Sequence, residues 1–123
     1  MSQKKSIIRR KERRRNRSKK TSRNHSTKYR LVVYRSLKHF EAQIINDFEG
    51  KTIISASSRD NDLKTILKKV KNKTEISKAI GQALADKAKK MKIDSVVLDR
   101  NGYPYHGRLK AFAEATRENG LNL

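Results

Sequence analysis

The first thirty residues carry fourteen lysines and arginines against one acid, Glu12, so thirteen of the chain's twenty net positive charges sit in its first quarter. Apart from Ile7 and Ile8 the stretch offers almost nothing apolar. Like charge at that density opposes compaction through self-repulsion. The segment therefore cannot build a core, and the cost is recovered when a polyanion lies against it. Nucleic acid is the commonest such partner, because each neutralised phosphate releases a condensed counterion. The chain divides accordingly into a basic N-terminal arm, residues 1–28, and a small globular body, residues 29–123. Lys4, Arg9, Arg10, Arg13, Arg14, Arg15 and Arg17 are the arm's candidate phosphate contacts. Lys, Arg and Glu favour helix, so the arm is expected to be frayed when free and helical where RNA neutralises it.

The rest of the chain holds eighteen basic and eleven acidic residues and nearly all the large apolar side chains. That suffices for one small domain with a modest core, to which a bound partner adds stability. The chain has no cysteine, which excludes disulfides, thiolate catalysis and Cys-ligated zinc. No run approaches the ~20 apolar residues that span a bilayer. The positive N-terminus lacks the apolar segment of a secretory signal. An organelle transit peptide is the weaker reading of the arm, since its charge is too dense and its apolar face is limited to two isoleucines.

Pattern predicts the order β-β-β-α-β-α. Arg30–Ser36 is β-branched and aromatic, a strand. Within His39–Asp47, Phe40, Ala42 and Ile44 alternate with His39, Glu41 and Gln43, the period of a half-buried strand. A turn at 47–50, with Gly50 free to take positive φ, leads to a third strand, Thr52–Ser57. Leu63, Ile66, Leu67 and Val70 have the spacing of a short amphipathic helix. Asn72 with Glu75 marks a helix start, and Ile76, Ala79, Ile80, Ala83, Leu84, Ala88 and Met91 keep helical spacing to Lys92. Ser95–Asp99 is apolar enough to be a strand buried on both faces. Arg108–Asn119 is a second long helix with Leu109, Phe112, Ala113 and Thr116 inward, and Gly120 caps it so that Leu121 folds back. The expected fold is α+β, a two-layer α/β arrangement. Its mixed sheet carries both helices on one face and leaves the other open.

Catalysis finds no support in these residues. His25, His39 and His106 lack metal-ligand spacing. Asp94 and Asp99 fall on opposite strand faces, and no Gly-rich phosphate loop is present. Neither a metal site, a cofactor nor a small-molecule substrate is expected. Binding fits better. Arg30, Tyr34, Arg35, Ser36, His39, Gln43, Ser55 and Ser57 give the strands an aromatic, cationic and hydroxylic surface. Rings and guanidinium planes stack on splayed bases, and hydroxyls meet phosphate and 2′-OH groups. Taken singly, each is ordinary strand surface; together with the arm they point to RNA.

The densest cluster is Arg100, Gly102, Tyr103, Tyr105, His106, Gly107 and Arg108, between a strand and a helix. Gly107 leaves backbone N–H groups open to an anion at the helix start. Arg108 sits where the helix dipole disfavours a cation, which points to a pairing phosphate. On the plainer alternative the two tyrosines pack the helix–sheet junction and Arg108 pairs with a surface acid.

In this cluster the pattern DR-x-G-x-x-YHGR, followed by a helix ending R-E-x-G-L, resembles the C-terminal signature of the family of bacterial large-subunit ribosomal protein number eighteen. Leu31–Ile45 resembles the same family's R-[ST]-x-[KR]-H-x-x-A-Q stretch, and the Arg-rich arm agrees. The resemblance implies a non-catalytic, cytoplasmic component of the large ribosomal subunit. Its partners would be 5S rRNA, large-subunit rRNA and neighbouring large-subunit proteins, with no membrane, and it would help attach 5S rRNA at the central protuberance. It implies RNA contacts from the arm, from Arg35, Ser36, His39 and Gln43, and from Arg100, Gly102, Tyr103, Tyr105, His106, Gly107 and Arg108. A basic protein compacting RNA or DNA without a fixed target is the alternative that charge alone leaves open. The Tyr/His/Gly cluster argues against it, because non-specific compaction needs no such loop.

Overall fold

The computed structural model describes residues 3–18, 28–70 and 72–123. Its elements are α1 (Gln3–Ser18), β1 (Tyr29–Arg35), β2 (Phe40–Asn46), β3 (Lys51–Ser57), α2 (Asn61–Leu67), α3 (Lys73–Lys90), β4 (Val96–Asp99) and α4 (Arg108–Glu118). The expected order thus gains the arm helix α1 and the short α2. Residues 5–14 of α1 are all exposed, as a helix made of good formers with no apolar stripe must be. Lys19, Lys20 and Arg23 of the arm lie outside the described residues.

The sheet order is β3-β2-β1-β4. β1–β2 and β2–β3 are antiparallel; β1–β4 is parallel, which is why a helical crossover separates β3 from β4. A bulge at Ile44/Ile45 shifts the β2–β3 register, so that Ile45 pairs with Thr52. Alternation sends Leu31, Val33, Phe40, Ala42, Ile44, Ile54 and Ala56 to one face, where they bury against Ile80, Leu84, Leu109 and Phe112 of α3 and α4. Phe40 and Phe112 meet at the centre, their ring centroids 5.1 Å apart. Helices α3 and α4 therefore cover one face, and Arg30, Val32, Tyr34, Glu41 and Gln43 point to the other.

Gly81 brings α3 against α4. A β-carbon there would lie 2.7 Å from the Phe112 carbonyl oxygen and 2.9 Å from Thr116 Oγ1, so the approach requires glycine. α3 begins with Asn72 accepting the Thr74 N–H at 2.9 Å. At the end of α4, Gly120 takes a φ of 100° and Leu121 turns back into the core, 2 % exposed.

Three expectations about apolar residues fail. β4 is not buried on both faces. It is an edge strand in which Val97 and Leu98 are half-buried, with the C-terminal tail bridging at Ser95–Asn122. Met91 is exposed because α3 ends at Lys90. Ile66 is exposed although it lies within α2, because that short helix turns Leu63 and Leu67 toward the core instead.

Candidate nucleic-acid interface

Two surfaces gather the residues that the sequence singles out. One lies at the end of the sheet, where the β1–β2 turn meets the β4–α4 loop. The turn is closed by Ser36, whose N–H donates to the His39 carbonyl at 2.9 Å and whose hydroxyl accepts the His39 N–H at 3.1 Å. The His39 ring is held in turn, its Nδ1 2.9 Å from Ser58 Oγ at the end of β3. In the β4–α4 loop, Asp99 Oδ1 accepts the Asn101 N–H at 2.9 Å. This aspartate turn lets Asn101 take a φ of 53° and Gly102 one of 82°.

Tyr103 joins turn to loop. Its ring lies under the Arg35 guanidinium, 4.9 Å from ring centre to the guanidinium carbon. Its hydroxyl accepts the Arg35 N–H at 3.5 Å and donates to the Arg35 carbonyl at 3.3 Å. The half-buried Arg108 adds a second tie, Nη1 donating to the Ser36 carbonyl at 3.0 Å. The bond differs from the surface acid of the plainer alternative, and it uses only one of the guanidinium nitrogens. A backbone carbonyl holds the guanidinium, so the residue ties the start of α4 to the turn.

Gly107 caps α4 with φ 60° and ψ −124°, a conformation essentially reserved for glycine, and no side chain caps this helix end. The first-turn N–H groups of α4 thus open beside Arg108. Arg100, Tyr105 and His106 are exposed around them. Arg117 Nη1 donates to Tyr105 Oη at 2.9 Å, a pairing that sequence pattern does not reveal because the partners are twelve residues apart on a loop and a helix.

The second surface is the open sheet face. Register places Tyr34 opposite Glu41 and Glu41 opposite Ser57; Val32 faces Gln43, and Gln43 faces Ser55. Tyr34 is exposed and Glu41 and Gln43 half-buried. Ser57 Oγ donates to Glu41 Oε1 at 3.3 Å. Ser55 is exposed, with its carbonyl accepting from Lys87 Nζ at 2.8 Å. Period-two alternation puts Glu41 on this face with Gln43, yet a lone carboxylate in a basic chain gives no sign of RNA contact, and Glu41 is not among the candidates that pattern offers.

Arg30 borders this face but is committed to the fold. Its Nε and Nη2 grip both oxygens of Asp47 at 3.0 Å, and Nη1 donates to Asp99 Oδ2 at 2.8 Å. Asp99 is 3 % exposed, so Arg30 neutralises a buried carboxylate while tying β1 to β4 and to the β2–β3 turn. The Asp47 hydrogen bonds raise the Arg30 pKa, burial opposes them, and Asp99 adds to the rise. A raised cationic pKa stabilises the fold at every pH below the group's ordinary value and is lost only in stronger alkali, so this contribution stays constant across neutral pH.

Arg9, Arg10, Arg13 and Arg14 stand exposed on α1. Lys4, Arg15 and Arg17 belong to the same helix, but their side chains lie outside the described part of the chain. Among the described residues no three His, Cys, Asp or Glu side chains are placed to hold a metal ion. No described helix is long and apolar enough to cross a membrane.

Residues 3–123 match the family described as ribosomal L18 of archaea, bacteria, mitochondria and chloroplast. The large ribosomal subunit protein uL18 of Bartonella henselae is 49 % identical over 120 residues, 97 % of each chain. That of Thermus thermophilus is 50 % identical over 115 residues, 94 % of this chain and 93 % of its own. That of Chloroherpeton thalassium is 51 % identical over 94 residues, 76 % of this chain and 77 % of its own.

Proposed function

The chain belongs to the ribosomal L18 family and is a structural, non-catalytic protein of the large ribosomal subunit, and on that premise we propose that it binds 5S rRNA and helps attach it to the large-subunit rRNA at the central protuberance. The observation that carries this reading is the Tyr103 clamp. It fixes the β1–β2 turn against the β4–α4 loop, so that Arg35, His39, Arg100, Tyr105 and His106 belong to one pre-organised end of the body. Pre-organisation matters because an RNA surface bound by a rigid site costs less ordering than one bound by loose side chains. The uncapped start of α4 and Arg108 suit a phosphate; Tyr105 and His106 offer rings for a splayed base.

The arm has a different task. Exposed arginines on α1 supply affinity for any phosphate backbone and make it salt-dependent, which suits contact with large-subunit rRNA beside the 5S molecule. In this division the body selects and the arm holds. Neighbouring large-subunit proteins complete the partner set.

Titration of the full chain with 5S rRNA tests the reading. Arg100→Glu changes an exposed residue and should weaken binding severalfold while the circular dichroism spectrum stays constant. Arg108→Glu should weaken it further, because that variant also frees the Ser36 carbonyl. Unaltered affinity in both variants would remove the clamp end from the interface.

A further inference from the structure

We propose that the open sheet face carries a pocket for one unpaired guanine base, with Glu41 as its specificity-determining acceptor; the inference deepens the RNA-binding reading above and rests on it. The face is depressed between β1 and β2, with a volume of about 390 Å³ bounded by Val32, Tyr34, Glu41, Gln43 and, from the β4–α4 loop, Asn101. In a chain with twenty net positive charges, this depression has no lysine or arginine among its described lining residues, and its charged member is a carboxylate. No cationic side chain lines it to receive a phosphate, and a neutral base needs none.

The lining supplies the groups that a base site needs. Tyr34 is 55 % exposed and borders the depression, a platform of the kind on which RNA bases stack. Val32 gives an apolar floor, and Gln43 and Asn101 supply amides that both donate and accept. The carboxylate is not adrift, since the Ser57 hydroxyl donates to Glu41 Oε1 at 3.3 Å. A carboxylate accepts and cannot donate at neutral pH. Among the four bases guanine alone places two donors, N1–H and the N2 amino group, side by side on its Watson–Crick edge. Adenine and cytosine set a ring-nitrogen acceptor next to their amino group, and uracil flanks its one N–H with two carbonyls. Each of those edges turns an acceptor toward Glu41, so the bidentate match belongs to guanine.

Amide chemical-shift mapping of the full chain with GMP, AMP, CMP, UMP and inorganic phosphate as separate probes tests this. GMP should move the amides of Val32, Tyr34, Gln43 and Asn101 at about tenfold lower concentration than the other nucleotides, and inorganic phosphate should leave those amides still. Glu41→Gln, isosteric and half-exposed, should remove the GMP preference, while Tyr34→Ala should weaken all four nucleotides and preserve their ranking. Equal response to all nucleotides, movement of the same amides by inorganic phosphate, or a GMP preference that survives Glu41→Gln would each overturn the proposal. The readout needs no 5S rRNA, so a chain that ranks the nucleotides as stated but shows no preference for 5S rRNA would sink the reading above and leave this pocket standing.

Discussion

The Arg35 guanidinium lies over the Tyr103 ring at 4.9 Å, and the same tyrosine's hydroxyl holds both backbone polar groups of Arg35, across 68 residues of sequence. One side chain thus performs two operations. It aims a cation at the end of the sheet, and it completes the hydrogen bonding of a strand terminus that has no further sheet partner. The consequence is a rigid junction between the two segments whose motifs carry the family resemblance.

Tyr103→Phe keeps the ring and removes the hydroxyl. Two long hydrogen bonds to backbone disappear, so the melting point should fall by an amount corresponding to about 1 kcal/mol. Affinity for 5S rRNA should drop severalfold through the loosened turn, with the salt slope unchanged because every phosphate neutralised before is neutralised still. A changed slope with unchanged affinity would contradict the clamp.

Arg30→Met strips the counter-charge from Asp99, leaving a nearly buried carboxylate with the Asn101 N–H as its described donor. Breaking a fully buried pair costs ~3–5 kcal/mol. Because Arg30 is partly wet, about 2–3 kcal/mol is expected by urea unfolding. Adding Asp99→Asn should recover part of that deficit, since the amide keeps an acceptor for Asn101 without the charge. If Arg30→Met leaves stability untouched and instead abolishes RNA binding, Arg30 is a contact residue and not a strut.

Gly81→Ala sets two effects of opposite sign against each other. Alanine is the better helix former by about 1 kcal/mol, but its β-carbon would meet a backbone carbonyl that cannot turn aside. Overpacking should win, with a net destabilisation of ~1–3 kcal/mol seen as a lower melting temperature. Phe112→Ala, at the buried ring pair with Phe40, should cost ~3–5 kcal/mol.

Deleting residues 1–27 removes α1 and leaves the whole described core in place. The truncated chain should stay folded, bind RNA more weakly, and show a shallower log–log salt dependence, by roughly 0.7–0.9 for each phosphate that the arm no longer neutralises. Absence of cooperative unfolding in the truncated chain would show that the arm belongs to the body.

Much of this is legible in the chain because the relevant signals are local. Alternation around Phe40, Ala42 and Ile44 fixes which face of β2 is buried, and the Leu109–Phe112–Thr116 spacing fixes the inner face of α4. The strands and helices α3 and α4 fall within a residue or two of their expected limits, while α2 ends three residues before Val70. What stays hidden depends on distant segments meeting. Apolar composition cannot tell an edge strand from a central one, so β4 reads as central. Nothing near Arg108 announces that its partner is the Ser36 carbonyl 72 residues away. Arg30 reads as one more cation until Asp47 and Asp99 are brought to it from elsewhere in the sheet. Glu41 shares a face with Tyr34 by parity, but its place in a cation-free depression follows from strand pairing and the Asn101 loop.

Competition binding at moderate salt, between 5S rRNA and an unrelated RNA of equal length, is the measurement that bears most directly on the claim that the folded body selects its RNA. The full chain should prefer 5S rRNA strongly, and Arg100→Glu and Tyr103→Phe should each reduce that preference. Equal binding of the two RNAs, unaffected by either substitution, would contradict it and leave a basic protein that grips any phosphate backbone.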